Sequence, residues 1–329
     1  MLAGAWRHAP PALEITSEEL ATVTPALLET GAGALGWRRV QQWRTSSSAL
    51  ELQQAYRLHA VQSALHEIQI REAIELLRSN GVESILVKGW AIARFYLEPG
   101  LRPYGDIDLC VDPDQYSIAK KLVANSALRD IRVDLHRGFE SFGDRSWSEL
   151  YSRSQCADLD GVTVRTLAPE DHLRLLCFHF LREGAWRPLW LCDVAVATET
   201  RPADFDWELC LGSNESSSYV ACTLMLARDL LHADLNGLPE TVFARQMPAW
   251  LLPAVLKEWR VRSMYQRHRS PLTSGWRRPA TTLRNIHRHW PTAIEATINS
   301  NAALDEMPRW PLQVGSCFRR IKQVVSASL

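Results

Sequence analysis

The chain has 329 residues, 46% hydrophobic and 22% charged, with 37 basic and 37 acidic side chains. That content excludes a disordered chain and supports a sizeable core, while the length leaves room for two domains or for one with an extension. No run reaches the ~18 apolar residues of a membrane span, and MLAGAWRHAPPALEITSEEL has neither a continuous apolar stretch nor a cleavage-type ending, so a soluble cytoplasmic protein with no membrane partner is expected.

Residues up to about Ser48 read as loop-rich with short helical patches. From Ala49 to Asn80 apolar residues recur at helical spacing without Pro or Gly, which predicts one long helix or two in line, closed by Asn80-Gly81. Ser84 to Val87 is a short apolar strand ending at Lys88-Gly89. Trp90 to Leu97 is apolar enough for a helix, stopped by Glu98-Pro99-Gly100.

Asp106 to Val111 reads as the second strand. Its period-two alternation places Asp106 and Asp108 on one face and Ile107 and Leu109 on the other. Two neighbouring carboxylates repel unless a positive group lies between them, and a hard divalent cation is the usual solution. Asp112-Pro113-Asp114 starts a helix running to about Ala124, and Ile131 to Leu135 alternates as a third strand that presents Asp134. Gly161 to Leu167 reads as an edge hairpin strand. Pro169-Glu170-Asp171 then opens a helix, and the runs 189–198, 207–211 and 220–231 continue a helical bundle; beyond Pro239 helix and loop mix.

The expected fold is therefore α+β, a small mixed sheet with flanking helices followed by a mostly helical C-terminal part. Its expected divisions are an N-terminal extension (1–48), a core with its preceding helix (49–168), a helical bundle (169–240) and a basic Trp/Arg-rich region (241–329).

The zero net charge hides an asymmetry. Leu251 to Leu329 holds 13 basic and 4 acidic residues, and the rest of the chain 24 and 33. Arg260, Arg262, Arg267, Arg269, Arg277, Arg278, Arg284 and Arg288 interleave with Trp259, Trp276 and Trp290. Such a mixture suits a polyanion such as RNA, and equally a set of helix faces docked on the acidic half of the same molecule. The seven cysteines are scattered and never spaced as a CxxC pair, so they read as small core residues of a reduced protein.

Three blocks, LVKGWAIARFYLEPGLRPYGDIDLCV, VDLHRGF and APEDHLRLLCFHFLREGAWRPLWLCDVAV, resemble the uncharacterised nucleotidyltransferase family of bacterial proteins, a branch of the polymerase-beta-like nucleotidyltransferase superfamily. The resemblance covers roughly Ala49 to Gly237, and its most specific part is the first block, with its Lys-Gly, Arg and Asp-x-Asp pattern. It implies a Mg²⁺-dependent enzyme, with Mn²⁺ as a substitute, that moves a nucleotidyl group from an NTP donor to an acceptor: a small molecule, a peptide, a protein or an RNA end. The alternative is a catalytically silent nucleotide-binding or regulatory module of the same fold.

On this resemblance Asp106, Asp108 and Asp134 are the metal ligands and catalytic carboxylates, with Asp130 the substitute for the third. Lys88, Gly89, Arg102 and His136 form the nucleotide-binding set: Lys88 as a point charge on the β or γ phosphate and Arg102 as a bidentate clamp. His136 is open to three readings, a general base, a nucleotide contact or a hydrogen-bonded structural histidine. His172 and His179 read as packing residues. Both aspartates of the Asp-x-Asp pair are expected near the surface of a cleft, where Asn replacements would spare the fold.

Overall fold

The computed structural model describes the chain except for residues 44, 127, 129–131, 140–141, 213–214, 244–245, 261–289 and 328–329. Five strands form one mixed sheet in the order β3-β2-β1-β5-β4: β1 Ser84–Val87, β2 Ile107–Val111, β3 Val133–Arg137, β4 Gln155–Leu159 and β5 Val162–Thr166. Strand β1 is antiparallel to β2, whereas β2 and β3 run parallel. A parallel neighbour needs a crossover, which helix α5 (Tyr116–Ala124) supplies.

The N-terminal segment is more helical than its composition suggested, with α1 at Ser17–Glu29 and α2 at Gly33–Val40. Thr16 and Glu19 form a reciprocal capping box that starts α1. The long helix α3 is a single element, Ser47–Ser79, opened by Ser46 accepting from the Ala49 amide. Helix α4, predicted to Leu97, stops at Ala93, and β2 begins at Ile107, leaving Asp106 just ahead of the strand.

Alternation along β2 divides the two faces of the sheet as expected. Ile107, Leu109 and Val111 pack against Ile70, Ile74 and Leu77 of α3, each buried aliphatic side chain contributing about 1.5–3 kcal/mol. On the opposite face Ile85, Val87 and Cys110 meet Leu150 of α6 (Trp147–Arg153) and Leu175 of α7 (Pro169–Arg182). One prediction is corrected: the strand near 162–166 is not at the edge. Leu86 of β1 pairs with Thr166, so β5 lies inside the sheet, and β4 pairs on its outer side and forms the edge.

After the sheet the chain is helical, with α8 at Pro188–Glu199, α9 at Trp207–Leu211, α10 at Glu215–Leu231, α11 at Glu240–Phe243 and α12 at Leu251–Arg260. Helices Ala293–Ile298 and Trp310–Ala327 follow. The largest buried cluster lies here and includes Phe180, Leu191, Val220 and Leu224. Cys110, Cys177, Cys192, Cys210 and Cys222 are buried and all seven cysteines are free. No described helix is long and apolar enough to cross a membrane. Asp130 and most of the Arg/Trp segment lie outside the described residues.

Candidate active site

The last residue of β1, the first residues of β2 and the first residues of β3 meet at one end of the sheet, because Val87 pairs with Asp108 and Asp108 with Asp134. Parallel registry continues with Cys110 beside His136. Period two then puts Asp108, Asp134 and His136 on one face. His136 Nε2 lies 3.0 Å from Asp108 Oδ1 and 3.4 Å from Asp134 Oδ2.

Asp108 is buried and is held from two sides. Lys88 Nζ donates to the same Oδ1 at 2.5 Å. Burial alone would raise the Asp108 carboxyl, but the His136 hydrogen bond and the Lys88 ammonium outweigh it and bring it down to about 2. Burial likewise opposes the Lys88 ammonium, yet Asp108 holds it above its usual range. The expectation that Asp108 sits near the surface is corrected: only 4% of the residue is exposed, since β3 and the Lys88 turn cover it. Asp106 is exposed, and partial shielding from water, with Asp108 close by, raises its carboxyl.

A depressed carboxylate stabilises the fold above its unfolded pKa of about 4 and loses that contribution as pH falls through its folded value. For Asp108, with a folded value of about 2, the contribution is about 2.5 kcal/mol. Acid titration of stability should show wild type ahead of Asp108→Asn by at least this margin at neutral pH, with the gap narrowing from about pH 4 downward.

Lys88 has φ +51°, a left-handed backbone rare outside glycine, and Gly89 follows at φ +26°. That turn aims the lysine back over the sheet end. The helix behind it, α4, spans only Gly89–Ala93, so little dipole stands behind Gly89 and the positive charge at this corner is the ammonium itself.

Arg102 is bound to a partner in the helical part. Its Nε and Nη2 bind both oxygens of Asp193 on α8, at 3.1 and 2.7 Å, and Tyr96 Oη donates to the same carboxylate at 2.8 Å. The pair is buried, with side-chain exposures of 5% and 1%. It braces the loop that leads into Asp106 against the helical part.

Beside Lys88 and His136 opens a cavity of about 480 Å³, also lined by Tyr116, Phe139, His179 and Arg182. His179 packs on Trp190 at 4.4 Å between ring centroids. Burial, with Lys88 close by, lowers it to about 3, so its imidazole is neutral at physiological pH. Its seven-residue spacing from His172 shows only a shared helix face. His172 is buried and is a packing residue as expected, and His179, one face and two turns on, reaches the cavity. Phe139 and Tyr116 carried no sequence signal beyond being aromatic near a strand end.

Oxygen and imidazole ligand atoms of Asp108, Asp134 and His136 all lie within 4.8 Å of one another. That donor set fits a divalent cation, and among the described residues Asp106 stands outside it. Residues 35–130 match the uncharacterised nucleotidyltransferase family. This nucleotidyltransferase match takes in Lys88, Gly89, Arg102, Asp106 and Asp108, and it stops short of Asp134 and His136. A crystal structure of an antigenic nucleotidyltransferase-like protein from Paracoccidioides brasiliensis superposes with a TM-score of 0.41 at 15% identity, over 54% of this chain and 96% of that one. No curated protein matches significantly.

Proposed function

We propose that the chain is a metal-dependent nucleotidyltransferase that moves a nucleotidyl group from an NTP to an acceptor oxygen. The observation that carries this reading is the parallel registry that sets Asp134 beside Asp108 with His136 Nε2 reaching both. Asp108, Asp134 and His136 would hold a divalent cation, with Mg²⁺ or Mn²⁺ the expected ion, and Asp106, outside that set, stands at the rim just ahead of β2. The cation would supply charge neutralisation at the α-phosphate and a lowered pKa for the acceptor hydroxyl. Lys88 binds the β or γ phosphate once a triphosphate offers it a partner in place of Asp108. Asp134, the most exposed of the trio, takes the acceptor proton. The acceptor oxygen then bonds to the α-phosphorus as the bond to the bridging oxygen breaks and pyrophosphate leaves. Arg102, committed to Asp193, braces the loop rather than clamping phosphate. The cavity beside Lys88 and His136 is large enough for a nucleoside. RNA is the acceptor class that the basic C-terminal composition favours.

A second reading, a silent nucleotide-binding module, draws on one contact: Lys88 and His136 already satisfy Asp108 Oδ1 without a metal. Thermal unfolding with Mg²⁺ or Mn²⁺ and each NTP tests both. A ligand at about 100 times its dissociation constant stabilises by about 2.7 kcal/mol. A metal-dependent shift with at least one NTP, lost in Asp134→Asn, is the expected result. A nucleotide shift indifferent to metal and to Asp134 favours the silent module, and no shift with any NTP sinks the donor assignment.

A further inference from the structure

The sequence pattern offers a metal three carboxylates, Asp106, Asp108 and Asp134, whereas the fold brings together two carboxylates and an imidazole, with Asp106 outside the set. Strand β3 dictates the exchange. Asp134 and His136 lie two residues apart on it and so share a face, and the pairing of Asp108 with Asp134 sets His136 beside Cys110, one step further along. His136 Nε2 stands 3.0 Å from an Asp108 oxygen and 3.4 Å from an Asp134 oxygen. A single N–H cannot point at both acids, and its hydrogen bond goes to Asp108. A divalent cation ligated by all three groups satisfies both acids at once. Separations of about 3 Å are those of neighbouring ligand atoms around an ion whose bonds are about 2.1 Å long. The Asp134 and His136 side chains are 55% and 35% exposed, which leaves an entry path to the buried Asp108.

The local charge disfavours an ion held by charge alone. Asp108 and Asp134 supply two negative charges, and Lys88 Nζ, 2.5 Å from the Asp108 oxygen that His136 also reaches, returns one positive charge to the site. Mg²⁺ binds through hard oxygen ligands and gains little from an imidazole. First-row transition ions gain more from nitrogen, increasingly so from Mn²⁺ to Co²⁺. We propose, resting on the metal-dependent reading above, that His136 selects the ion: the site takes Mn²⁺ in preference to Mg²⁺, and Co²⁺ in preference to Mn²⁺.

Electron paramagnetic resonance of the full chain titrated with Mn²⁺ alone, followed by competition with Mg²⁺ and with Co²⁺, tests this. Mn²⁺ should bind at least about tenfold more tightly than Mg²⁺, and Co²⁺ should displace Mn²⁺ at equal concentration. Spin-echo modulation of the bound Mn²⁺ should carry the nitrogen coupling of an imidazole. His136→Asp makes the donor set all oxygen and adds a negative charge. That variant should lose the coupling, bind Mg²⁺ more tightly than wild type and bring the Mn²⁺ and Mg²⁺ affinities within about threefold of one another. If His136→Asp fails to fold, the wild-type coupling and affinity ratio decide the matter. Bound Mn²⁺ without nitrogen coupling, equal wild-type affinities for Mn²⁺ and Mg²⁺, or a coupling that persists in His136→Asp overturns the inference and leaves the metal-dependent reading in place. Neither ion bound at millimolar concentration overturns both.

Discussion

Asp108→Asn should lower nucleotidyl transfer by at least about 10³-fold, because a metal centre contributes several kcal/mol to the transition state and each 1.36 kcal/mol is tenfold in rate. The same substitution should destabilise the fold, which separates Asp108 from an acid at the rim of a cleft. Lys88 Nζ and His136 Nε2 both converge on Asp108 Oδ1. Removing the charge leaves a largely buried ammonium without its counter-ion, a loss of about 3–5 kcal/mol when the partner is truncated. Adding Lys88→Met should recover most of that stability and none of the activity. Urea unfolding and a labelled-NTP transfer assay on wild type, the single variant and the double variant distinguish the two effects. Transfer within tenfold of wild type in either variant would remove Asp108 from the chemistry.

Asp193→Ala should be the most destabilising single change away from the site. Asp193 takes bonds from Arg102 Nε, Arg102 Nη2 and Tyr96 Oη, so alanine leaves a buried guanidinium uncompensated. The expected loss is about 3–5 kcal/mol, a fall in Tm on the order of 10 °C for a chain of this size. Replacing both partners, Arg102→Met with Asp193→Leu, should restore much of it, because a well-packed apolar pair avoids the desolvation penalty. The double variant also tests the bracing role. If Arg102 only supports the loop, metal-dependent stabilisation by NTP persists at reduced affinity; if the guanidinium touches phosphate, that stabilisation disappears.

Local pattern carried most of what was legible in the sequence. Period-two alternation at 106–111 and 131–135, an unbroken helical pattern over 49–80 and the Pro-acid start at 169–171 each reflect neighbours a few residues apart. They placed β1, β2, α3 and α7 to within a few residues. Partners distant in the chain were not legible. Arg102 sat in a Pro-flanked loop that reads as exposed, and nothing nearby announces Asp193, 91 positions away. Strand β5 read as an edge because its hairpin is local, whereas its parallel pairing with β1 is not. Asp108 and Asp134 could be assigned to one function by resemblance, but that His136 would join them depended on the registry of β2 with β3. The burial of Asp108 depended on the same registry, together with the turn of Lys88.

The strand order also bears on solubility. Among the described residues β3 has β2 as its one neighbour, so its outer side offers unpaired amides and carbonyls to any passing strand. Short edge strands with charged side chains resist such pairing. Five residues long, with Asp134, His136 and Arg137 on it, β3 meets that description with side chains also proposed to serve the chemistry. The acid that would finish the metal site thus guards the sheet against edge-to-edge aggregation.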